Sequence, residues 1–347
     1  MNKTNGTKPR EEWIDYLRGI GIILMVIGHA SIWRPVIKWI FGFHMPLFFI
    51  LSGFLFNRQK WAEKGFGKFA AVRFKNYIIP YFLWCGICFI INLPMLYLNY
   101  RHDNILRAAI QNLGWIITSI SIEGVFLPQN CTALWFLTCF FLSQLIFYLL
   151  VNCRPLWQCI LTAVIIAITY AMNYFKTPVL PWYLDVSLIG SIFILIGYYI
   201  KEKRLLEKVR TIIVPVSMII ISSVIIMWND KIDMHFRQYG KDPLLFIIQA
   251  VMMCFSFMWI CRSMHTLYLK DLFCIFGKYS IIVMGLNVAV NIYARRIYNS
   301  IGSRAGVDLH WTEYPLLLIS IVFYLLVILL YQKLVSKNSR FSILTGK

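Results

Sequence analysis

The stretch Asp15-Tyr16-Leu17-Arg18-Gly19-Ile20-Gly21-Ile22-Ile23-Leu24-Met25-Val26-Ile27-Gly28-His29 sets Arg18 and His29 eleven residues apart in an apolar run. An ionisable side chain at membrane depth costs from about 2.5 kcal/mol upward, so two on one segment point to use rather than accident. At about 100° per residue, eleven steps return His29 to within roughly 20° of Arg18, about 16 Å along the axis. Asp15, Arg18, Met25 and His29 therefore share a stripe. The next apolar segment carries a second histidine in Phe43-His44-Met45-Pro46-Leu47-Phe48-Phe49-Ile50-Leu51-Ser52-Gly53. Two imidazoles in consecutive spans suggest a reaction centre.

Composition sets the class. The 347 residues are 59% hydrophobic and 14% charged, with a mean hydropathy of +0.68. A soluble chain of this size could not hide so much apolar surface, so the expected fold is an all-α polytopic membrane protein. Apolar windows fall near 17–34, 39–56, 77–98, 133–151, 157–174, 182–200, 211–228, 243–261, 272–294 and 314–336, about ten transmembrane helices. Residues 1–347 form one membrane-embedded domain, with 1–12 a basic tail and 99–132 an extracytoplasmic loop containing an interfacial helix. Arg18, His29 and the lack of a small-residue cleavage site argue against a removable leader.

The net charge of +19 is distributed by loop, which excludes a nucleic-acid surface as its explanation. With a cytoplasmic N-terminus, the inner segments hold about 22 Lys and Arg against about 11 in the outer ones, as the positive-inside rule requires. Both termini are then cytoplasmic. The nine cysteines lack C-x-x-C spacing and read as small core hydrophobes. No His-x-x-x-His pair exists, so no metal site is expected.

If the first two spans form a hairpin turning near Arg34 to Lys38, His29 and His44 lie at similar depth and can face each other. Ser52 follows His44 and Phe48 at four-residue steps, so it shares that side nearer the cytoplasm. Pro46 marks a helix start or a kink. The basic segment 57–76 runs into Arg73 and Lys75. These two residues either satisfy topology and anionic lipid or hold the phosphates of a cytoplasmic donor. Trp182 fits an aromatic belt, whereas Asp185, one turn into its span, either pairs or handles a polar ligand. Ser280, Asn287 and Asn291 share a face that either lines a cavity or bonds a neighbouring helix.

These residues resemble the integral-membrane acyltransferase family 3, particularly its fucose 4-O-acetylase-like branch. The likeness rests on Tyr16-Leu-Arg18 with Arg-x10-His spacing to His29, and on Phe43-His44-Met45-Pro46-Leu47-Phe48-Phe49 followed by Ser52-Gly53-Phe54. Weaker echoes are Arg73-x-Lys75 before Pro80-Tyr81, Leu134-Trp135-Phe136-Leu137, Pro181-Trp182-Tyr183-Leu184-Asp185 ahead of Gly197-Tyr198, and Gly277-Lys278-Tyr279-Ser280.

The resemblance implies ten transmembrane helices and transfer of an acyl group, usually acetyl from acetyl-CoA, to a hydroxyl of a carbohydrate or related envelope acceptor. It implicates Arg18 and His29 in catalysis. Where many relatives carry a histidine in the penultimate helix, this chain has Asn287, which hydrogen-bonds but does not exchange a proton near neutral pH. The expected assignment follows. His29 is general base, His44 orients it or holds the acceptor, and Asp15 and Ser52 support them. Arg18 steadies the CoA arm while Arg73 and Lys75 meet the phosphates, and Trp135, Trp182, Asp185 and Asn287 face the acceptor.

The expected partners are acetyl-CoA as donor substrate, a carbohydrate or glycolipid acceptor and the bilayer of the cytoplasmic (inner) membrane. No bound cofactor and no nucleic acid are expected. Acetyl against succinyl, a transient acyl-histidine against direct transfer, and the oligomeric state stay open. A transporter or flippase for a polar or lipid-linked precursor is the competing reading, and a structural assembly subunit is a third.

Overall fold

Without water to satisfy peptide groups, an apolar chain in lipid must bond its backbone internally, and the apolar windows accordingly fold as helices. The structure is a computed structural model and describes residues 12–30, 33–100, 105–119, 129–264, 268–305 and 313–346. In chain order the helices are α1 (Glu12–Gly28), α2 (Arg34–Phe41), α3 (His44–Phe54), α4 (Arg58–Arg73), α5 (Ile79–Tyr100), α6 (Ile105–Thr118), α7 (Trp135–Asn152), α8 (Pro155–Tyr174) and α9 (Leu184–Glu202). They continue with α10 (Leu205–Lys208), α11 (Ile213–Trp228), α12 (Pro243–Ser263), α13 (Lys270–Lys278), α14 (Ser280–Ala305) and α15 (Glu313–Lys337). The ten sequence windows correspond in order to α1, α3, α5, α7, α8, α9, α11, α12, α14 and α15, with α2 and α3 together making one 21-residue stretch. Among the described residues, seven helical stretches are long and apolar enough to cross a membrane, or eight if the bent pair α13–α14 is one span. α1 and α11 are apolar but slightly shorter, at 17 and 16 residues.

Burial separates an inner from an outer set of helices. α7 and α9 are mostly buried, whereas α8 and α15 mostly are not. α11 exposes Ile213, Ile220, Ile221 and Val224, and α15 exposes Leu318, Ile319, Leu326 and Leu330. Surfaces of that extent on a monomer need a non-aqueous neighbour, and here it is lipid.

Small residues let the inner helices approach to backbone contact, the usual substitute for hydrophobic driving force in lipid. Where α3 crosses α9, a Cβ on Gly53 would stand 1.8 Å from the Ile194 carbonyl oxygen, and one on Gly197 would stand 1.9 Å from that of Ile50. α1 and α13 meet the same way, through Gly19 against Phe273 and Gly277 against the Asp15 carbonyl.

Two expectations change. The turn expected near Arg34 to Lys38 is the amphipathic helix α2, whose Lys38 ammonium donates to the Met227 and Asn229 carbonyls. The ninth window is not one straight span. α13 and α14 meet at an 85° bend beside Tyr279, with Gly277 packed against the Asp15 carbonyl of α1 just before it. The interfacial segment contains helix α6, and the carbonyls of Ile116 and Ile117 accept from Tyr81 Oη and Trp182 Nε1. Most of the 1–12 tail, and parts of the 99–132 loop, lie outside the described residues.

Between α11 and α12 the chain forms a β-hairpin, β1 (Ile232–Asp233) antiparallel to β2 (Gln238–Tyr239), paired Ile232 with Tyr239 and Asp233 with Gln238. Ile232, Met234 and Tyr239 are buried, so the hairpin seats an apolar side into the bundle. Gly240, at φ +76°, is needed because Asn229 Oδ1 sits where a Cβ would be, accepting from the amides of Asp230 and Lys241.

Candidate active site

The stripe on α1 lines one wall of a cavity of about 680 Å³, which Arg18, Ile22, Met25 and His29 border in steps of four, three and four. His29 follows the last residue of α1, its amide donating to the Met25 carbonyl at 3.2 Å. Its exposed ring also borders a second cavity of about 320 Å³ and a third of about 20 Å³. His29, Met45, Ala133 and Trp135 line both larger cavities and so form the waist between them.

The two cavities differ in charge. Arg18, Lys60, Lys64, Arg73 and Lys278 border the larger one, and among its lining residues there is no carboxylate. Asp233 borders the smaller one, whose lining includes no lysine or arginine. We call the larger cavity the inner one and the smaller the outer one, after the orientation expected from the loop charges.

Several elements bring the cations together. The buried Trp61 ring gathers Lys60 at 5.5 Å, Lys64 at 5.9 Å and the Arg73 guanidinium at 5.5 Å, and Arg73 also lies 4.9 Å from Phe69. Cations held on aromatic faces keep their charge while losing mobility. Lys278 arrives from the far end of the chain because the helix breaks beside it. Arg18 is paired with Asp15, 3.5 Å away, which is buried and does not border the cavity.

In the outer cavity, His44 Nδ1 lies 2.9 Å from the Ile40 carbonyl. A carbonyl only accepts, so Nδ1 carries the proton and Nε2 is left as the acceptor of the neutral ring. Phe41 packs between the imidazoles, 6.0 Å from His29 and 5.2 Å from His44. Ser52 borders the inner cavity, as its four-residue phase with His44 predicts.

The hairpin contributes a third histidine that the sequence reading passed over. His235 lines the outer cavity, with Nε2 2.6 Å from Tyr183 Oη and its ring stacked on Trp135 at 5.1 Å. Burial lowers its pKa to about 3, so this imidazole is neutral at physiological pH. Among the described residues no three His, Cys, Asp or Glu side chains are grouped to hold a metal ion.

Five expected site residues, Asp15 among them, reach neither large cavity. Lys75 is exposed, because two residues on from Arg73 is the opposite helical face, and the π-helical turn Phe74–Ile78 gives the lining to Asn76 and Tyr77 instead. Trp182 donates to the Ile117 carbonyl at 2.8 Å. Asp185 is buried in an ion pair with Arg237 Nε at 3.2 Å, and the Arg237 guanidinium also donates to Thr177. That pair fastens the hairpin to α9. Asn287 spends its amide on Met25 Sδ at 3.2 Å, and its Oδ1 accepts from Tyr324 Oη at 3.2 Å. It braces α14 against α1 and α15.

Trp182 and Tyr183 both sit in the left-handed region, at φ +57° and +55°. Such backbone costs about 1–3 kcal/mol per residue and persists only where the surroundings over-determine it. Here buried Tyr183 is held between Trp135 and His235.

The architecture defines a class: a multi-pass membrane protein in which a cation-lined cavity and a carboxylate-bearing one meet at a histidine. The Acyltransferase domain family matches residues 11–333, and the chain belongs to it, the integral-membrane acyltransferase family 3. The chain is similar to the nodulation protein NolL of Mesorhizobium japonicum, 24% identical over 201 residues that cover 54% of this chain and 49% of that protein. It is also similar to the nodulation protein NolL of Sinorhizobium fredii, 32% identical over 93 residues, 24% of this chain and 25% of that one. The chain thus spans about half the length of the first of these relatives and a quarter of the second. No solved structure matches.

Proposed function

We propose that the protein is a membrane O-acyltransferase of the cytoplasmic membrane that moves an acetyl group from acetyl-CoA in the inner cavity to a hydroxyl of an extracytoplasmic or lipid-linked carbohydrate in the outer one. The observation that carries this is the position of His29, at the waist between a cavity lined by five cations and one lined by a carboxylate and histidines. CoA is a polyanion, and Arg forks with Lys point charges suit its phosphates. Arg73, Lys60, Lys64 and Lys278 hold them, and Arg18 steadies the arm that runs along α1.

In the direct reaction, neutral His29 removes the proton from the acceptor hydroxyl as its oxygen attacks the thioester carbonyl carbon. The carbon–sulfur bond breaks as the tetrahedral intermediate collapses, and the imidazolium returns its proton to the CoA thiolate. His44, with Nε2 as acceptor, orients the hydroxyl. Transient acylation of His29 balances equally well, with the acceptor proton leaving in the second step.

The test is purified protein in nanodiscs given radiolabelled acetyl-CoA and a cell-envelope glycan fraction, with mass spectrometry of the products. The expected result is label in a glycan ester that is lost in His29→Ala. Acceptor crossing sealed vesicles without any acyl donor would point to transport instead.

A further inference from the structure

The outer cavity is closed on one side by the β-hairpin, and the groups that the hairpin presents there have no part in the chemistry above. Asp233 ends β1, and its Oδ1 accepts from the His235 amide at 3.0 Å, which fixes the carboxylate and the imidazole to one short turn. The turn ends at Arg237, in the left-handed region at φ +55° and tied to buried Asp185. His235 is held from the bundle side by Tyr183 and Trp135, on the strained pair of residues that opens α9. One strained residue, Tyr183, bonds the imidazole directly, and another, Arg237, lies two positions after it in the turn. Backbone strain at such a place is stored where a ligand is handled.

From these observations we infer that Asp233 and His235 form the carbohydrate-binding edge of the outer cavity, taking neighbouring hydroxyls of one uncharged sugar ring while Phe236 and Phe41 cover its apolar face. The proposal rests on the acyl-acceptor reading of this cavity and deepens it. The chemistry favours a polyol. A carboxylate accepts hydrogen bonds from sugar hydroxyls, a neutral imidazole whose Nε2 is engaged by Tyr183 keeps Nδ1 to meet another, and the absence of lysine and arginine from this lining disfavours a phosphate there. The state of His235 agrees, since burial keeps it uncharged. A volume of about 320 Å³ is within the range of small-molecule sites.

Saturation-transfer NMR on the full chain in nanodiscs tests this, with methyl glycosides of fucose, rhamnose, glucose and N-acetylglucosamine as probes. At least one glycoside should receive saturation from the wild type. Its affinity should fall about tenfold or more, the loss of one or two good hydrogen bonds, in Asp233→Asn and in His235→Phe, which keeps a ring against Trp135. Lys75→Ala, exposed and outside both linings, should leave it unchanged. Retained binding of radiolabelled acetyl-CoA by the two hairpin variants shows that they are folded.

A footprint on the wild type is independent of variant folding: the glycoside should protect His235 from carbethoxylation by diethyl pyrocarbonate, read by mass spectrometry. No saturation of any glycoside, affinities within about twofold in both hairpin variants, or an unprotected His235 overturns the proposal. Failure of the wild type to bind acetyl-CoA would count against the donor reading alone and leave this test standing.

Discussion

His29 illustrates what one residue can do when placed where two environments meet. Its ring borders every cavity described above, so His29→Ala should abolish acetyl transfer while leaving acetyl-CoA binding intact, measured by filter binding and product mass spectrometry in parallel. On the proposed reading the cations act on the donor only. Arg73→Ala and Lys278→Ala should each raise the KM for acetyl-CoA by about tenfold, the value of one charge-assisted hydrogen bond, with little change in kcat. Lys75→Ala, exposed and off the lining, should change neither. The α1 stripe was legible from the sequence because helical periodicity alone puts Arg18 and His29 on one side. Lys60, Lys64 and Lys278 were not, because a lysine beside the membrane has the same sequence appearance whether it faces lipid headgroups or a cavity.

At the scale of elements, close glycine crossings and one ion pair carry the architecture. Gly53→Ala and Gly277→Ala push a methyl into a neighbouring backbone carbonyl, which cannot move as a side-chain tip can. Each should destabilise the folded protein by about 1–3 kcal/mol, seen as a lower melting temperature and lower yield in detergent. The Gly53, Gly197 and Gly277 motifs that carry the family resemblance are thus packing positions rather than reacting ones. Asp185→Asn leaves the Arg237 charge uncompensated beneath the hairpin. Removing one partner of a buried pair costs about 3–5 kcal/mol, so the hairpin should loosen, with faster amide exchange over residues 229–242 and weaker acceptor binding. From sequence, Asp185 showed only that it needed a partner. That the partner is Arg237, on a loop fifty-two positions later, follows from the packing of that loop onto α9.

Over the whole molecule the two cavities divide the charge, which predicts different responses to salt. Raising ionic strength from about 0.01 to 0.15 M shortens the screening length from about 30 to 8 Å. The KM for acetyl-CoA should rise severalfold over that range and the KM for an uncharged acceptor should not, in steady-state kinetics with each substrate varied in turn. The sides should differ as well. In sealed vesicles, acetyl-CoA should support transfer only from the face that bears the basic segment 57–76.

Composition, hydropathy and charge placement by themselves determined the polytopic helical fold, the windows of the apolar helices, and the shared side of Arg18 and His29, because these depend on local periodicity and on the cost of polar groups in lipid. Only the tertiary structure decided which cations converge on the inner cavity, where the ninth window breaks, and that Asp233 and His235 return to face His29. Those outcomes depend on contacts between residues far apart in the chain, such as Gly277 with α1 and Arg237 with Asp185, and no local pattern encodes which distant surfaces will fit.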